Sequence, residues 1–324
     1  MVAFDEILRL IEHAIRGLEF NDPPKSLYEP ITYTLSLGGK RIRPALVLMA
    51  YNIYKEDVSS VLDVAMGLEV FHNFTLLHDD LMDEADIRRG KPTVHKVWNA
   101  NTAILSGDAM LIAAYQLMAK ADEKHLKPVL DLFTRTALEI CGGQQYDMEF
   151  ETRNDVAEEE YIEMIRLKTA VLLACALKMG AILADAPEED AEHLYQFGIA
   201  IGLAFQLQDD LLDVYGDPET FGKKIGGDIL CDKKTFLLIN ACKRSDKKQL
   251  EVLNRWIGIG SEQPEEKIAA ITGIYDQLKL KQLSEDKIEA YFAEAISHLD
   301  ALKVDVAKLS VLKEISHKLM NRKS

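Results

Sequence analysis

The sequence predicts an all-α fold, a single large helical bundle around a central cavity. Apolar residues recur at helical spacing along most of the chain, and no stretch of useful length alternates as a strand would. No linker, internal repeat or low-complexity tract divides the 324 residues. We therefore expect one helical domain over residues 1–324.

The first helices are predicted from their apolar stripe and their end signals. Apolar residues that share one side predict an amphipathic helix from Phe4, and the segment 21–24 ends it. A second helix runs from Lys25 to the glycines at 38 and 39, which suit a helix C-cap. Three cations then precede Pro44, in Lys40-Arg41-Ile42-Arg43-Pro44. This cluster is either a solvated helix end or an anion site.

Two acidic motifs of the form D-D-x-x-D each close a long apolar helical run. Asp79-Asp80-Leu81-Met82-Asp83 ends a helix predicted over residues 57–84, and Asp209-Asp210-Leu211-Leu212-Asp213 ends one that begins after Pro187. The first and last Asp of each motif are one turn apart and share a face. Two carboxylates about 4 Å apart repel by roughly 4 kcal/mol at an effective dielectric of 20, so the groups need a positive counterweight.

Surplus hard oxygen ligands favour Mg²⁺. One motif alone is more typical of an exposed acidic turn than of a metal site, whereas two, each closing an apolar helix, favour a metal site. We expect the two motifs to face each other across the cavity.

Helices are also predicted over residues 101–120, 127–151 and 157–184. Gly142 and Gly143 lie inside the second of these, where glycine is unfavourable, so they indicate a kink or a close approach by a neighbour. Lys168 lies ahead of an apolar run and would need an anion beside it.

Basic residues follow both acidic motifs. Arg88 and Arg89 lie in a turn directly after the first motif, and guanidinium groups bind phosphate oxygens bidentately. Without the adjacent motif they would be interpreted as surface residues. Lys223 lies among glycines after the second motif, in a loop that is not a P-loop. The cations expected around a Mg²⁺-bridged diphosphate site are Lys40, Arg43, Arg88, Arg89, Lys168, Lys223 and Lys233.

Composition limits the remaining classes of function. The net charge of −15 argues against nucleic acid as a partner. No apolar run reaches the roughly 18 residues of a membrane span, and the N-terminus resembles an amphipathic helix rather than a signal peptide, so we expect a cytoplasmic protein. Three of the four cysteines lie in apolar helical stretches, which predicts reduced core thiols rather than zinc or disulfide sites. The four are Cys141, Cys175, Cys231 and Cys242.

These features favour transfer of a prenyl group through a carbocation. The sequence offers no Ser/His/Asp set and no cysteine nucleophile. The apolar helices that lead to the acidic motifs indicate a hydrophobic substrate. Metal ions that neutralise a leaving diphosphate favour ionisation of an allylic C–O bond. The cation needs dry, electron-rich walls such as aromatic rings and amide oxygens.

The motifs, taken together and in this order, resemble the trans-isoprenyl diphosphate synthase (polyprenyl synthetase) family. The match runs from Gly38-Gly39-Lys40 to Lys233-Lys234-Thr235. The resemblance implies the isoprenoid synthase fold, a homodimer, and head-to-tail condensation of isopentenyl diphosphate with dimethylallyl, geranyl or farnesyl diphosphate. It also implies Mg²⁺, about three ions in each active site.

The resemblance further implies roles for individual residues. Asp79, Asp83 and Asp209 would bind Mg²⁺, with Asp80, Asp210 and Asp213 assisting. The allylic diphosphate would be held by Arg88, Lys168 and Lys223, with Lys233 near it. Isopentenyl diphosphate would be held by Lys40, Arg43, His72 and Arg89. The catalytic groups would be Lys168, Thr169 and Gln206, the last two stabilising the cation. One departure is Cys231-Asp232 before Lys233, where the family often has Glu-Gly.

Product length depends on the floor of the pocket. Phe74 lies five residues before Asp79, which places it about 7.5 Å below the metal site in a helix. With an aromatic residue at this position, the chain resembles family members that make geranylgeranyl diphosphate. Phe71 or Tyr115 could also close the pocket. We expect a C20 product ahead of C15. The alternatives are a terpene cyclase, against which the complete second motif argues, and a non-catalytic regulatory paralogue, which commonly lacks one motif.

Overall fold

The computed structural model describes residues 2–217, 225–259 and 263–320. The chain divides into two units. The first unit comprises Met1–Thr134 and Cys175–Glu192, and the second comprises Arg135–Ala174 and His193–Ser324. The expected single domain over residues 1–324 stays a prediction.

Helices dominate both units, which confirms the predicted all-α fold. The first ten are α1 (Phe4–Arg16), α2 (Lys25–Ser36), α3 (Ile42–Tyr54), α4 (Leu62–Met82), α5 (Val94–Val97), α6 (Ala100–Met118), α7 (Glu123–Thr152), α8 (Glu158–Ile165), α9 (Val171–Leu183) and α10 (Glu188–Tyr215). Those that follow are α11 (Gly227–Leu230), α12 (Phe236–Arg244), α13 (Lys247–Trp256), α14 (Pro264–Gln277), α15 (Leu280–Asp300) and α16 (Ser310–Met320).

Short irregular elements complete the described chain. Two 3₁₀ turns span Val58–Val61 and Val306–Leu309, and a π-helical turn spans Arg166–Ala170. Strands β1 (Ile87–Arg88) and β2 (Lys91–Pro92) form a small antiparallel pair directly after the first acidic motif.

In the first unit, α1 buries Ile7, Ile11 and Ile15, the apolar stripe predicted from the sequence. The helix predicted over residues 57–84 differs at its start, because its first turn is the 3₁₀ turn at Val58–Val61. The side chain of Asp57 accepts the N–H of Ser59 there, which satisfies a donor that a helix start leaves free. The result is a mostly buried α4 that ends at the first motif.

In the second unit, α10 buries Leu203, Leu207 and Leu211, which recur at every fourth residue and so lie on one side of the helix. They share a core with Tyr161 and Tyr275. This packing fixes the rotation of α10 and therefore the direction of the second motif at its C-terminal end.

The prediction for the cysteines is wrong in part. All four are free thiols, but Cys141 and Cys242 are exposed and only Cys175 is buried, while Cys231 is also exposed. The buried apolar residues Ile140 and Ala241 directly precede Cys141 and Cys242, so they lie on different sides of their helices from the thiols. No helix in the described ranges is both long enough and apolar enough to cross a membrane.

Candidate active site

The first acidic motif lies at the C-terminal end of α4. Asp83 follows the last helical residue, and its N–H donates to the C=O of Asp79 across 2.9 Å. Asp79 is half-buried and Asp83 is exposed. The two residues are one turn apart at the open end of the helix, as predicted.

Arg88 returns from β1 to the first motif. Its Nε donates to Oδ1 of Asp80 across 2.7 Å, and its Nη2 lies 3.5 Å from Oδ2 of Asp79. Asp80 is buried, which raises its pKa, and the charge of Arg88 opposes that shift. Asp80 is therefore turned into the protein and bonded to Arg88.

Two of the residues predicted to hold isopentenyl diphosphate, Arg43 and His72, contact each other, with His72 on α4. Nη1 of Arg43 lies 3.1 Å from Nε2 of His72, so the imidazole accepts and carries its proton on Nδ1. Burial, and then Arg43 and Arg89, hold the pKa of His72 well below its usual value. The lowered pKa and the contact with Arg43 make His72 neutral at pH 7.

The other two cations of this set lie in loops. Arg89 donates to the C=O of Gly38, and Lys40 is exposed in the same loop as Gly38.

Arg41 has a role that sequence reasoning missed. It is buried, with φ at 50°, and its guanidinium contacts Glu69 at 2.7 Å, Glu12 at 2.9 Å and the C=O of Leu35 at 2.9 Å. One of the three clustered cations is thus a structural tie between helices. An acidic residue at 69 within the apolar α4 was the available signal.

In the second unit, the middle residue of the second motif is also turned inward. Asp210 is buried and accepts from the Tyr161 hydroxyl and, across 3.0 Å, from Nε2 of Gln206. Burial, followed by the charge of Asp228, raises the pKa of Asp210 to about 7. Asp209 and Asp213 are half-buried.

Gln206 connects the second motif to the π-helical turn. Thr169 Oγ1 donates to Oε1 of Gln206 across 3.2 Å, while the amide of Gln206 donates to Asp210. In the same turn, Nζ of Lys168 lies 2.6 Å from Oδ2 of Asp147, the anion that the sequence required. The π-helical turn itself was not predicted.

Gly143 of α7 permits this turn to approach. An ideal Cβ built at Gly143 would lie 2.4 Å from the backbone nitrogen of Lys168, closer than any side chain tolerates. A Cβ at Gly142 would meet nothing within 4 Å. Of the two alternatives for the glycine pair, the close approach is confirmed, and only at Gly143.

The last Asp of the second motif supports the loop behind it. Oδ2 of Asp213 accepts the N–H of Asp228 across 2.9 Å, and its C=O accepts the N–H of Gly226 across 2.6 Å. The N–H of Lys233 donates to the C=O of Asp228 across 2.9 Å. Lys223 lies outside the described residues.

Aromatic rings form a contiguous cluster in the first unit. Phe71 contacts Phe74 with ring centroids 5.5 Å apart, and it contacts Phe133 at 5.0 Å. The ring centroids of Tyr115 and Phe133 are 4.9 Å apart. The three residues proposed to set product length are therefore joined through Phe133, which sequence reasoning missed because it lies on a different helix.

The carboxylates fit Mg²⁺ by their chemistry. In the part of the chain that the structure describes, no three His, Cys, Asp or Glu side chains form a ready-made metal site. Mg²⁺ typically uses one or two carboxylates and takes its other ligands from water and substrate phosphates. Asp79, Asp83 and Asp209 are donors of that kind, while the facing arrangement of the two motifs stays a prediction.

Comparisons with known proteins cover nearly the whole chain. Residues 24–274 match the family model described as polyprenyl synthetase. The chain is 37% identical to the geranylgeranyl diphosphate synthase of Methanosarcina mazei, over 99% of this chain and 98% of that protein. It is 42% identical to the short chain isoprenyl diphosphate synthase of Methanocaldococcus jannaschii, over 78% of each. A crystal structure of a geranylgeranyl pyrophosphate synthase is 43% identical, with a TM-score of 0.95 and full coverage of both chains.

Proposed function

The chain belongs to the polyprenyl synthetase family, and on that premise we propose that it condenses isopentenyl diphosphate with an allylic diphosphate, head to tail. It is a trans-prenyltransferase, as its near full-length similarity to geranylgeranyl diphosphate synthase supports. The observation that carries the proposal is the pair of complete acidic motifs, each with a cation in its own unit. Arg88 lies beside Asp79. Lys168 lies in the turn whose Thr169 donates to Gln206, and Gln206 donates to Asp210.

The allylic diphosphate is assigned to the residues nearest the acidic motifs. Mg²⁺, about three ions held by Asp79, Asp83 and Asp209, would neutralise the leaving diphosphate. The guanidinium of Arg88 is assigned to the oxygens of the same diphosphate. Its contacts with Asp79 and Asp80 place it directly beside the proposed metal ligand. Lys168, Lys223 and Lys233 supply the remaining positive charge.

The isopentenyl diphosphate is assigned to Lys40, Arg43, His72 and Arg89. Neutral His72 adds hydrogen-bonding capacity without adding to the charge of the surrounding arginines. The allylic cation is assigned to the oxygens of Thr169 and Gln206, whose orientation is fixed by their mutual hydrogen bond and by Asp210. The departing diphosphate is the proposed base for the final proton.

A C20 product is favoured over C15. Two of the similar proteins described above are geranylgeranyl diphosphate synthases. The cluster of Phe74, Phe71, Phe133 and Tyr115 provides a bulky apolar stop in the same unit as the first motif.

A homodimer is proposed from the exposed apolar side chains of α6. Ile104, Leu105 and Ile112 are 44%, 59% and 62% exposed, and their spacing places them on one face. Sedimentation velocity tests this, with Leu105→Glu expected to give monomers and the exposed Leu250→Glu on α13 as the control. A wild-type monomer would contradict the proposal. Cytoplasmic location and the absence of nucleic acid and membrane partners stay predictions.

The reaction is tested by incubating the protein with isopentenyl diphosphate, Mg²⁺ and each of dimethylallyl, geranyl and farnesyl diphosphate. Mass spectrometry of the products is expected to find geranylgeranyl diphosphate. A cyclic hydrocarbon would support the terpene cyclase instead, and absence of turnover with every starter would support the regulatory paralogue.

A further inference from the structure

The segment Gly226–Lys233 has a charged contact that the proposed function does not use. Lys267, in the first turn of α14, has a fully buried side chain. Its Nζ lies 2.8 Å from Oδ1 of Asp232 and donates to the C=O of Leu230 across 3.1 Å. Burying an unpaired ammonium is strongly unfavourable, so Lys267 requires these partners. Because both partners belong to one short segment, Lys267 fixes where that segment lies.

Asp232 joins this contact to a second loop. Its φ is 52°, in the left-handed region that glycine adopts most readily, and its Oδ2 accepts the N–H of Gly258 across 2.7 Å. Glycine, which the family often has before the lysine, would make the same turn without a carboxylate. The carboxylate is therefore needed for the contacts with Lys267 and Gly258 rather than for the turn.

The same segment also carries contacts to the second acidic motif. Asp213 accepts the N–H groups of Asp228 and Gly226, as described above. Asp228 in turn accepts the N–H of Lys233 with its C=O. The N–H of Leu230 donates to the C=O of Gly226 across 3.0 Å, so this short segment connects the last Asp of the motif, the backbone of Lys233 and the buried Lys267.

We propose that Lys267 and Asp232 are positioning residues that hold Lys233 and Asp213 where the chain binds the allylic diphosphate. This role rests on the proposed function. Neither residue is assigned a contact with substrate, because Lys267 is enclosed by protein and Asp232 is occupied by Lys267 and Gly258. The isopentenyl diphosphate residues belong to the other unit, so the effect is expected on one substrate only.

The test compares the KM values of the two substrates in the wild type, Asp232→Asn and Asp232→Gly. Glycine keeps the turn but loses both carboxylate contacts, whereas asparagine keeps an acceptor oxygen. We expect Asp232→Gly to raise the KM of the allylic diphosphate about tenfold, with a smaller rise for Asp232→Asn, while the KM of isopentenyl diphosphate stays within about twofold. The control is Lys287→Met, which breaks the Lys287–Glu158 ion pair in the same unit.

An unchanged ratio of the two KM values in Asp232→Gly would overturn the proposal, as would an equal change in Lys287→Met. The double variant Asp232→Gly/Lys267→Met removes the buried charge with its partner. We expect the melting temperature of the double variant to be higher than that of Asp232→Gly and close to that of the wild type. The ratio of the KM of the allylic diphosphate to the KM of isopentenyl diphosphate should stay raised. If the melting temperature and the KM ratio both returned to wild-type values, Asp232 and Lys267 would have only a structural role, which would overturn the proposal. Failure of the wild type to condense any substrates would instead contradict the proposed function.

Discussion

Arg88 donates from Nε to Oδ1 of Asp80 across 2.7 Å, while its Nη2 lies 3.5 Å from Asp79. The middle carboxylate of the first motif is therefore already neutralised by a residue that follows the motif closely in sequence. Charge-assisted contacts of this geometry are stronger than neutral hydrogen bonds. Arg88 both fixes Asp80 and keeps a guanidinium edge beside the proposed metal ligand.

Replacement of Arg88 by lysine is expected to lower kcat/KM for the allylic diphosphate about 100-fold, because a point charge cannot replace the fork. Steady-state kinetics with each substrate varied in turn measures the effect. Arg153→Lys is the control, since Arg153 is half-buried among the carboxylates of Asp155 and Glu160, outside the proposed site. Equal rates in wild type and Arg88→Lys would refute this role of Arg88.

His72 is expected to make stability depend on pH. Its pKa in the folded protein is lowered, so the unfolded chain binds more protons below its ordinary pKa of about 6.5, and stability falls as pH falls through that value. Between pH 7.5 and 5, the wild type should lose more unfolding free energy than His72→Gln, because only the wild type must take up a proton at a site that disfavours it. Urea unfolding at both pH values measures the difference, with the exposed His13→Gln as control. Parallel losses in wild type and His72→Gln would contradict a neutral His72.

Phe74→Ala is expected to lengthen the product beyond C20, because it removes a half-buried ring that packs on Phe71. Mass spectrometry of the products measures chain length. Tyr115→Phe keeps its ring and loses only the hydroxyl contact with Thr134, so its product should stay the same. An unchanged product profile in Phe74→Ala would refute Phe74 as the floor.

The neighbouring glycines of α7 should respond in opposite directions to alanine. Gly142→Ala meets open space and should stabilise the helix by about 1 kcal/mol. Gly143→Ala would push against the backbone of Lys168, so it should destabilise by about 2 kcal/mol and lower kcat. Urea unfolding and steady-state turnover measure the pair. If Gly143→Ala kept the wild-type stability and kcat, the close packing of Gly143 against the backbone of Lys168 would not be required.

Local patterns sufficed for the helices and for the chemical class of the site. The stripe of α1, the turn before Lys25 and the two acidic motifs depend on neighbours a few residues away. The burial of a charge depends on partners far along the chain. For that reason the inward roles of Arg41 and Lys267 and the bond from Tyr161 to Asp210 could not be predicted.

Backbone geometry was harder still to predict. The π-helical turn that carries Lys168 and Thr169 interrupts a segment whose composition fits an ordinary helix. The turn at Asp232 places a non-glycine residue at positive φ, where sequence preference points to glycine. Both features occur where tertiary contacts override local preference.

The most direct measurement is the condensation rate of Asp79→Asn and Asp209→Asn at saturating substrates and Mg²⁺. Asp286→Asn, an exposed acid on α15, is the control. If both motifs serve one diphosphate site, each variant should lose about 1000-fold in kcat while the control keeps the wild-type rate. Wild-type turnover by either Asp79→Asn or Asp209→Asn would contradict the shared site.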